Sequence, residues 1–160
     1  MSKQKLGDPT DYSYRVKKVT KIVDGDTIDV LLDMGFDILY QQRVRLFGID
    51  TPESRTRDKE EKKFGLISKN RVKQLLPVGS TQILKTESDR NGEDKKGKFG
   101  RILGDFVFTK SVSTNLPPSS RLSDVLIDEN MAVKYHGQSK DDIAEQHIKN
   151  REVLIGRGLV

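Results

Sequence analysis

Residues 27–49, which read TIDVLLDMGFDILYQQRVRLFGI, indicate how this chain folds. Apolar and polar residues alternate from Thr27 to Asp33, and this period of two is typical of a β-strand with one buried face. The glycine-containing segment from Met34 to Asp37 then predicts a hairpin turn. Residues from Ile38 to Ile49 predict a second strand, which returns antiparallel to the first.

Further strands flank this hairpin on both sides. Residues Tyr14 to Val23 predict a preceding strand, joined to the hairpin by the turn Asp24-Gly25-Asp26. Ser80 to Glu87 and Phe99 to Phe108 predict a fourth and a fifth strand. Five such strands, with short hairpin connections, favour a small closed β-barrel of the OB type, in which closure removes exposed strand edges.

Three helices complete the expected architecture. The segment from Glu60 to Leu76 carries an apolar stripe at helical spacing. Arg121 to Val133 predicts a short helix, and Ser139 is placed to cap a last helix that extends to about Ile155. The expected fold class is therefore α+β: a five-stranded OB-fold β-barrel with about three helices.

The bulk properties of the 160-residue chain limit its possible functions. Its net charge of +5 and its pI of about 9.3 favour a polyanionic partner. The absence of cysteine excludes disulfides, thiolate metal sites and a cysteine nucleophile. No apolar run approaches the length of a membrane span, so we expect no membrane partner. We further expect a monomer.

The length predicts one domain with its own core. We expect residues 1–13 to form a loose N-terminal segment and residues 14–160 to form a single OB-fold domain. Because residues 1–5 lead into no apolar signal segment, the sequence predicts a cytoplasmic protein. A secreted protein whose signal peptide has been removed would give the same pattern.

The end of the third predicted strand carries an unusual cluster of polar residues. Asp50-Thr51-Pro52-Glu53 follows the apolar residues directly. Pro52 donates no hydrogen bond to a sheet and pushes Thr51 into an extended conformation, so the strand should stop there. The two acids would then lie at the rim of the barrel, where functional residues often occur. A plain polar turn is the alternative.

Asp26 and Asp50 are expected to converge. Asp26 begins the second strand and Asp50 follows the third, and antiparallel pairing places these two ends side by side. Converging carboxylates repel each other unless a cation joins them, and oxygen ligands without His or Cys favour Ca²⁺ or Mg²⁺. Thr51 could add its carbonyl or its hydroxyl. The alternative for Asp24-Gly25-Asp26 is a hairpin turn without a metal.

Two arginines suit an anionic ligand. Arg45 lies five residues before Asp50, and Arg101 follows Gly100. A guanidinium binds phosphate oxygens in a bidentate manner. The alternatives are a surface arginine whose stem lies along the barrel, and a glycine that marks a β-bulge.

Together these segments resemble the signature of the staphylococcal nuclease (thermonuclease) family. The three matching segments are Asp24-Gly25-Asp26-Thr27, Arg45 with Asp50-Thr51-Pro52-Glu53, and Lys98-Phe99-Gly100-Arg101. They occur in the order and at the spacing typical of that family. The likeness covers roughly residues 15–155, since Glu145-Gln146-His147-Ile148 also resembles a run in the family's last helix.

The resemblance implies an OB-fold, Ca²⁺-dependent phosphodiesterase that acts on DNA and RNA, with single strands favoured, as an endonuclease. By that resemblance Asp26, Asp50 and the Thr51 carbonyl would hold Ca²⁺, with Mg²⁺ less suited, and Asp24 would act on the metal through water. By the same resemblance, Arg45 and Arg101 would clamp the phosphate, and Glu53 would orient or deprotonate the attacking water. The substrate contacts would come from Lys98, Phe99 and Tyr135.

Two details refine these expectations. Phe99 stands where the family often has tyrosine, so a phenol hydrogen bond is lost. The two arginines would hold the pKa of Glu53 low, and a carboxylate of low pKa is a weak base. We therefore expect Glu53 to orient water more than to deprotonate it.

Two other functions would fit parts of the pattern. A catalytically silent OB-fold module that binds nucleic acid or serves as a scaffold is the main alternative, because such barrels bind single strands without cleaving them. A barrel with a structural calcium would leave the two arginines unexplained. The two histidines, His136 and His147, lie apart from the acids in the sequence. We expect a packing or surface role for His147.

Overall fold

The structure is a computed structural model that describes residues 12–87, 100–109, 116–117 and 119–160. Its helices and strands follow one another as β1 (Ser13–Asp24), β2 (Thr27–Asp33), β3 (Leu39–Leu46), β4 (Ile49–Asp50), α1 (Lys59–Leu75), β5 (Gln82–Thr86), β6 (Ile102–Val107), α2 (Leu122–Asp128), β7 (Val133–Lys134) and α3 (Lys140–Gly156). Most of the predicted loose segment lies outside the described residues, although Ser13 already belongs to β1. The division into a tail and a single domain stays a prediction.

Five strands form a closed barrel in the order β1-β2-β3-β6-β5. The β1-β2-β3 meander is antiparallel, and Thr27 pairs with Arg45 in it. The alternating residues Ile28, Val30 and Leu32 point into the core and are buried. Parallel pairing of β3 with β6 closes the barrel. The predicted α+β fold with a five-stranded OB-type barrel and three helices is therefore confirmed.

The third predicted strand is shorter than expected. Regular pairing stops at Leu46, and Gly48 adopts a left-handed backbone conformation with φ of +80°. This conformation favours glycine because it has no Cβ. Beyond the turn, Ile49 and Asp50 leave the barrel and pair with β7 in a separate two-stranded sheet. The prediction of one strand from Ile38 to Ile49 was wrong because the Gly48 turn was not recognised.

The predicted helix from Arg121 to Val133 is also shorter. It ends at Asp128, and Asn130 then takes a left-handed conformation with φ of +62°. The amide of Met131 donates to the carbonyl of Leu126 at 2.8 Å, and the amide of Asn130 donates to that of Ile127 at 3.0 Å. These two bonds form a Schellman motif. The chain that follows is thereby directed into β7.

Helix α1 packs against the chain that follows β4. Asp58 caps the helix by accepting hydrogen bonds from the amides of Glu60 and Glu61 at 3.0 and 3.1 Å. Phe64 and Val72 are buried on the barrel side. Gly65 lies so close to the chain that an added Cβ would stand 2.3 Å from the carbonyl oxygen of Glu53.

Ser139 caps α3 as predicted, because its hydroxyl accepts a hydrogen bond from the amide of Asp142 at 3.3 Å. Leu154 is the buried apolar anchor of this helix. None of the helices in the described ranges is both long and apolar enough to cross a membrane.

Asp105 on β6 is a buried carboxylate that caps α2. Its Oδ1 accepts from the amides of Ser123 and Phe106 at 3.1 and 2.9 Å, and its Oδ2 accepts from the Ser123 hydroxyl. The helix start at Arg121 has no cap from its own side chain. Burial raises the pKa of Asp105 to about 6, although the hydrogen bonds from Ser123 and Phe106 oppose the shift.

We predict that Gly65→Ala lowers the free energy of unfolding by roughly 1–3 kcal/mol, because the methyl group would overlap backbone that cannot move freely. Alanine would otherwise favour the helix. Urea denaturation measures the change. Gly156→Ala is the matched control in α3, where no described atom lies within 4 Å of the added Cβ. A Gly65→Ala protein as stable as the Gly156→Ala protein would contradict the close contact.

We predict a pH-dependent effect of Asp105→Asn. The native state binds the proton of Asp105 more tightly than the unfolded chain, whose pKa is the ordinary 3.8. The contribution of Asp105 to stability is thus largest at low pH and is lost as the pH rises from about 4 to about 6. The variant should therefore gain on the order of 2 kcal/mol relative to the parent protein between pH 4 and pH 7. Denaturation at several pH values measures this, and parallel pH profiles would contradict it.

Candidate functional site

The guanidinium of Arg45 lies between the carboxylates of Asp26 and Asp50. Its Nη2 is 3.3 Å from Oδ2 of Asp26 and 3.5 Å from Oδ1 of Asp50. The Arg45 side chain is only 16% exposed, so these charges are largely shielded from water. The structure thus brings together the two acids that the topology of the meander was expected to bring together.

Strand pairing explains this convergence. Thr27 pairs with Arg45 across β2 and β3, and the amide of Leu46 donates to the carbonyl of Asp26 at 2.9 Å. The other terminal nitrogen of Arg45, Nη1, donates to the carbonyls of Leu46 and Ile49 at 2.8 and 3.0 Å. The guanidinium therefore also braces the backbone on both sides of the Gly48 turn.

Thr51 lies deep in the site. Its amide donates to Oδ2 of Asp26 at 3.2 Å, and the residue is buried. Its hydroxyl is buried too, and no described residue bonds to it. Gly25 allows this packing, since an added Cβ would stand 3.0 Å from the Thr51 hydroxyl oxygen and 2.9 Å from Ser68 of α1.

Asp24 lies at the hairpin end of β1, beside this group. Its Oδ1 accepts from the amides of Gly25 and Ser54 at 3.0 and 3.3 Å. Burial raises the pKa of Asp24, and repulsion from Asp26 acts in the same direction, while the bonds from Ser54 and Gly25 oppose it. Asp24 therefore carries its charge in an unfavourable setting.

Glu53 is exposed on the rim of the site. Partial burial raises its pKa, and so do the neighbouring carboxylates of Glu61, Asp24, Asp50 and Asp26. The expectation that the arginines hold the pKa of Glu53 low was therefore wrong. Burial and the nearby acids decide the direction of the shift, and the guanidinium of Arg45 is directed at Asp26 and Asp50.

Arg101 lines a groove that Asp24 and Thr27 also border. It directly precedes β6, and the pairing of Val44 with Ile102 places it beside β3. The groove has a volume of about 560 Å³, and Asp24, Thr27 and Arg101 are among its lining residues. Arg43 also lines it but forms a two-bond ion pair with Asp29, at 2.8 and 3.1 Å.

His147 was expected to lie apart from the acids, but the structure places it against Asp50. Its Nε2 lies 2.8 Å from Oδ2 of Asp50, and its side chain is only 12% exposed. The two residues are 97 positions apart in the sequence. Only the docking of α3 on the small β4–β7 sheet brings them together, so no local pattern could have found the contact. The single sequence hint was the run from Glu145 to Ile148.

The predicted substrate contacts are described only in part. Tyr135 follows β7 and donates its amide to the carbonyl of Gly48 at 2.9 Å, and it is 38% exposed. It thus lies next to the turn that precedes Asp50. Lys98 and Phe99 fall outside the described residues, and their roles stay predictions.

The oxygen atoms around Asp26 and Asp50 suit a hard cation. Two carboxylates converge, and the amide of Thr51 donates to one of them. Within the described ranges, no three His, Asp or Glu side chains form a group that would hold a metal ion. The donors therefore fit a cation that takes two protein carboxylates and completes its shell with water or a ligand, which is a known mode for hard divalent ions.

Comparison with known proteins extends this picture. The model of a family described as staphylococcal nuclease homologues matches residues 43–153. Protein ParB of Escherichia coli is 30% identical over 128 residues, which cover 78% of this chain and 60% of that protein. The thermonuclease of Staphylococcus intermedius is 36% identical over 108 residues, which cover 66% and 58%. The micrococcal nuclease of Shigella flexneri is 28% identical over 135 residues, which cover 84% and 67%.

The chain spans about three-fifths of the length of the first two of these relatives. The family match covers well over half of the chain and includes Arg45, Asp50, Glu53 and Arg101. The closed barrel and the three helices of the described ranges agree with it. This chain therefore belongs to the family of staphylococcal nuclease homologues.

Proposed function

We propose that this protein is a divalent-metal-dependent nuclease that hydrolyses phosphodiester bonds in DNA or RNA. The observation that carries the proposal is the convergence of Asp26 and Asp50 on Arg45 at one end of the barrel. Family membership supports it, as do relatives named thermonuclease and micrococcal nuclease. The net charge of +5 suits a polyanionic substrate.

Asp26, Asp50 and Thr51 would hold the metal, which we propose to be Ca²⁺. The family resemblance favours the carbonyl of Thr51 as the third oxygen, and no described residue bonds to the buried Thr51 hydroxyl. Asp24 would bind a water of the metal shell, since its other bonds come from the amides of Gly25 and Ser54. When bound, the cation supplies positive charge beside the phosphate.

Arg45 and Arg101 would stabilise the transition state. Phosphodiester hydrolysis gathers negative charge on the oxygens of the phosphate, and a guanidinium placed there lowers the barrier. Arg45 is held by backbone carbonyls and needs little reorganisation. Arg101 borders the same groove as Asp24 and would contact the phosphate from the opposite side.

Glu53 would accept a proton from the attacking water or orient that water. Its exposed position allows contact with solvent, and the raised pKa makes it a stronger base than the sequence suggested. The argument for orientation alone is correspondingly weaker. A bound cation near Asp50 would partly offset the repulsion that raises the pKa of Glu53.

The groove beside Arg101 is open and suits a single strand of nucleic acid. Tyr135 would contact a base or sugar next to the scissile phosphate, and Lys98 and Phe99 would add contacts from the chain before Arg101. Cleavage within the strand is proposed, as the names of two endonuclease relatives from Bacillus subtilis suggest.

We predict that the purified protein cleaves single-stranded DNA with Ca²⁺ and that a chelator abolishes the cleavage. Once the chelator removes the cation that Asp26 and Asp50 would hold, no metal supplies positive charge beside the phosphate. A fluorescent oligonucleotide resolved on a gel measures the cleavage, and Mg²⁺ in place of Ca²⁺ tests the choice of ion. Asp50→Asn should lose the metal response. Binding that a chelator leaves unchanged, without cleavage under any condition, would indicate a catalytically silent binding module instead.

We predict that Arg45→Ala and Arg101→Ala each lower kcat at least ~10²-fold, as does the loss of one donor to a developing oxyanion. Initial rates on the same oligonucleotide measure this. Arg15→Ala is the matched control. The Arg15 side chain is 74% exposed and pairs loosely with Asp33, and Arg15 lies at the end of β1 that is opposite to Asp24. Thermal unfolding separates lost activity from lost fold. Rates within a few-fold of the parent protein would contradict the assigned roles.

A further inference from the structure

We propose that His147 is a positioning residue that fixes the orientation of the Asp50 carboxylate for metal binding. The inference rests on the proposed function, because it gives Asp50 a metal to bind. Nothing in the sequence around Asp50 indicates such a partner, since His147 belongs to α3, 97 residues later.

The two oxygens of Asp50 are held by two different side chains. Oδ2 lies 2.8 Å from Nε2 of His147, and Oδ1 lies 3.5 Å from Nη2 of Arg45. A carboxylate on a short strand can otherwise rotate about its last side-chain bond. Contacts at both oxygens define the plane of the group. The shorter and more buried contact is the one made by His147.

Other contacts fix α3, so Asp50 does not have to recruit the histidine by itself. Asn150 donates to the carbonyl of Ala132 at 3.2 Å and accepts from Asn130 at 3.1 Å. The guanidinium carbon of Arg151 lies 5.3 Å from the centre of the Phe64 ring. His147 is therefore presented by a helix that is already docked, as is typical of residues that orient a metal ligand.

The form of the ring follows from its surroundings. Nδ1 of His147 is buried, and no described residue bonds to it. A proton on Nδ1 would be a buried donor without a partner, which is costly. A ring with a proton on Nε2 would donate one hydrogen bond to Oδ2 of Asp50, across the 2.8 Å contact.

The test compares four variants in the full-length chain. His147→Ala removes the bond. His147→Gln places an amide nitrogen near the position of Nε2, whereas His147→Asn is shorter and places it near that of Nδ1. His136→Ala is the matched control, because His136 is the other histidine and is exposed. Calcium binding is measured without nucleic acid, by calorimetry and by the Ca²⁺-dependent rise in Tm.

We expect His147→Ala to weaken calcium binding by about 10- to 100-fold, as is common when a residue that orients a ligand is lost. His147→Gln should recover most of this loss, and His147→Asn should not. At saturating Ca²⁺, kcat and KM for DNA should change far less than the Ca²⁺ concentration needed for half-maximal rate. His136→Ala should match the parent protein.

Three outcomes would overturn the inference. Unchanged calcium affinity in a folded His147→Ala protein is one, and equal behaviour of the Gln and Asn variants is another. A crystal structure of His147→Ala in which the Asp50 carboxylate keeps its orientation is the third, and it needs no metal. If the parent protein itself neither binds a divalent cation nor cleaves DNA, the proposed function fails as well. If the parent protein cleaves DNA and its His147 variants bind calcium as tightly as it does, only the role of His147 is rejected.

Discussion

The guanidinium of Arg45 is the interaction on which the arrangement of the site depends. It contacts the carboxylates of Asp26 and Asp50 and the carbonyls of Leu46 and Ile49. These groups belong to the start of β2, the end of β3 and β4, which the Gly48 turn would otherwise leave loosely connected. A single planar cation with five donors can satisfy all of them, and a lysine could not. The strand ends are thereby held in the arrangement in which the two acids face each other.

The second constraint is close packing behind the acids. Gly65 of α1 lets the helix touch the backbone of Glu53, and Gly25 lets the β1–β2 turn touch Thr51 and Ser68. Any side chain at either position would push the chain from Asp50 to Ser54 outward. From the other side, α3 supplies His147 against Asp50. The barrel provides one wall of the site, and the helices provide the rest.

The electrostatics of the site follow from an excess of acids. Arg45 is shared between Asp26 and Asp50, while burial and neighbouring carboxylates raise the pKa values of Asp24 and Glu53. The carboxylates of the site repel one another, and a bound divalent cation would reduce that repulsion. This excess is the physical reason for the metal in our proposal. It also explains how Glu53 would remain basic enough to handle a proton.

The sequence by itself determined the barrel, the antiparallel meander and the approach of Asp26 to Asp50, because alternation of period two and short hairpins leave few ways to pair the strands. Helix α1 and the Ser139 cap followed from equally local signals. Only the tertiary structure decided the break at Gly48, the separate β4–β7 sheet, the partner of His147 and the raised pKa of Glu53. Each of these depends on contacts between residues far apart in the chain, or on the burial that such contacts produce, and no local pattern encodes them.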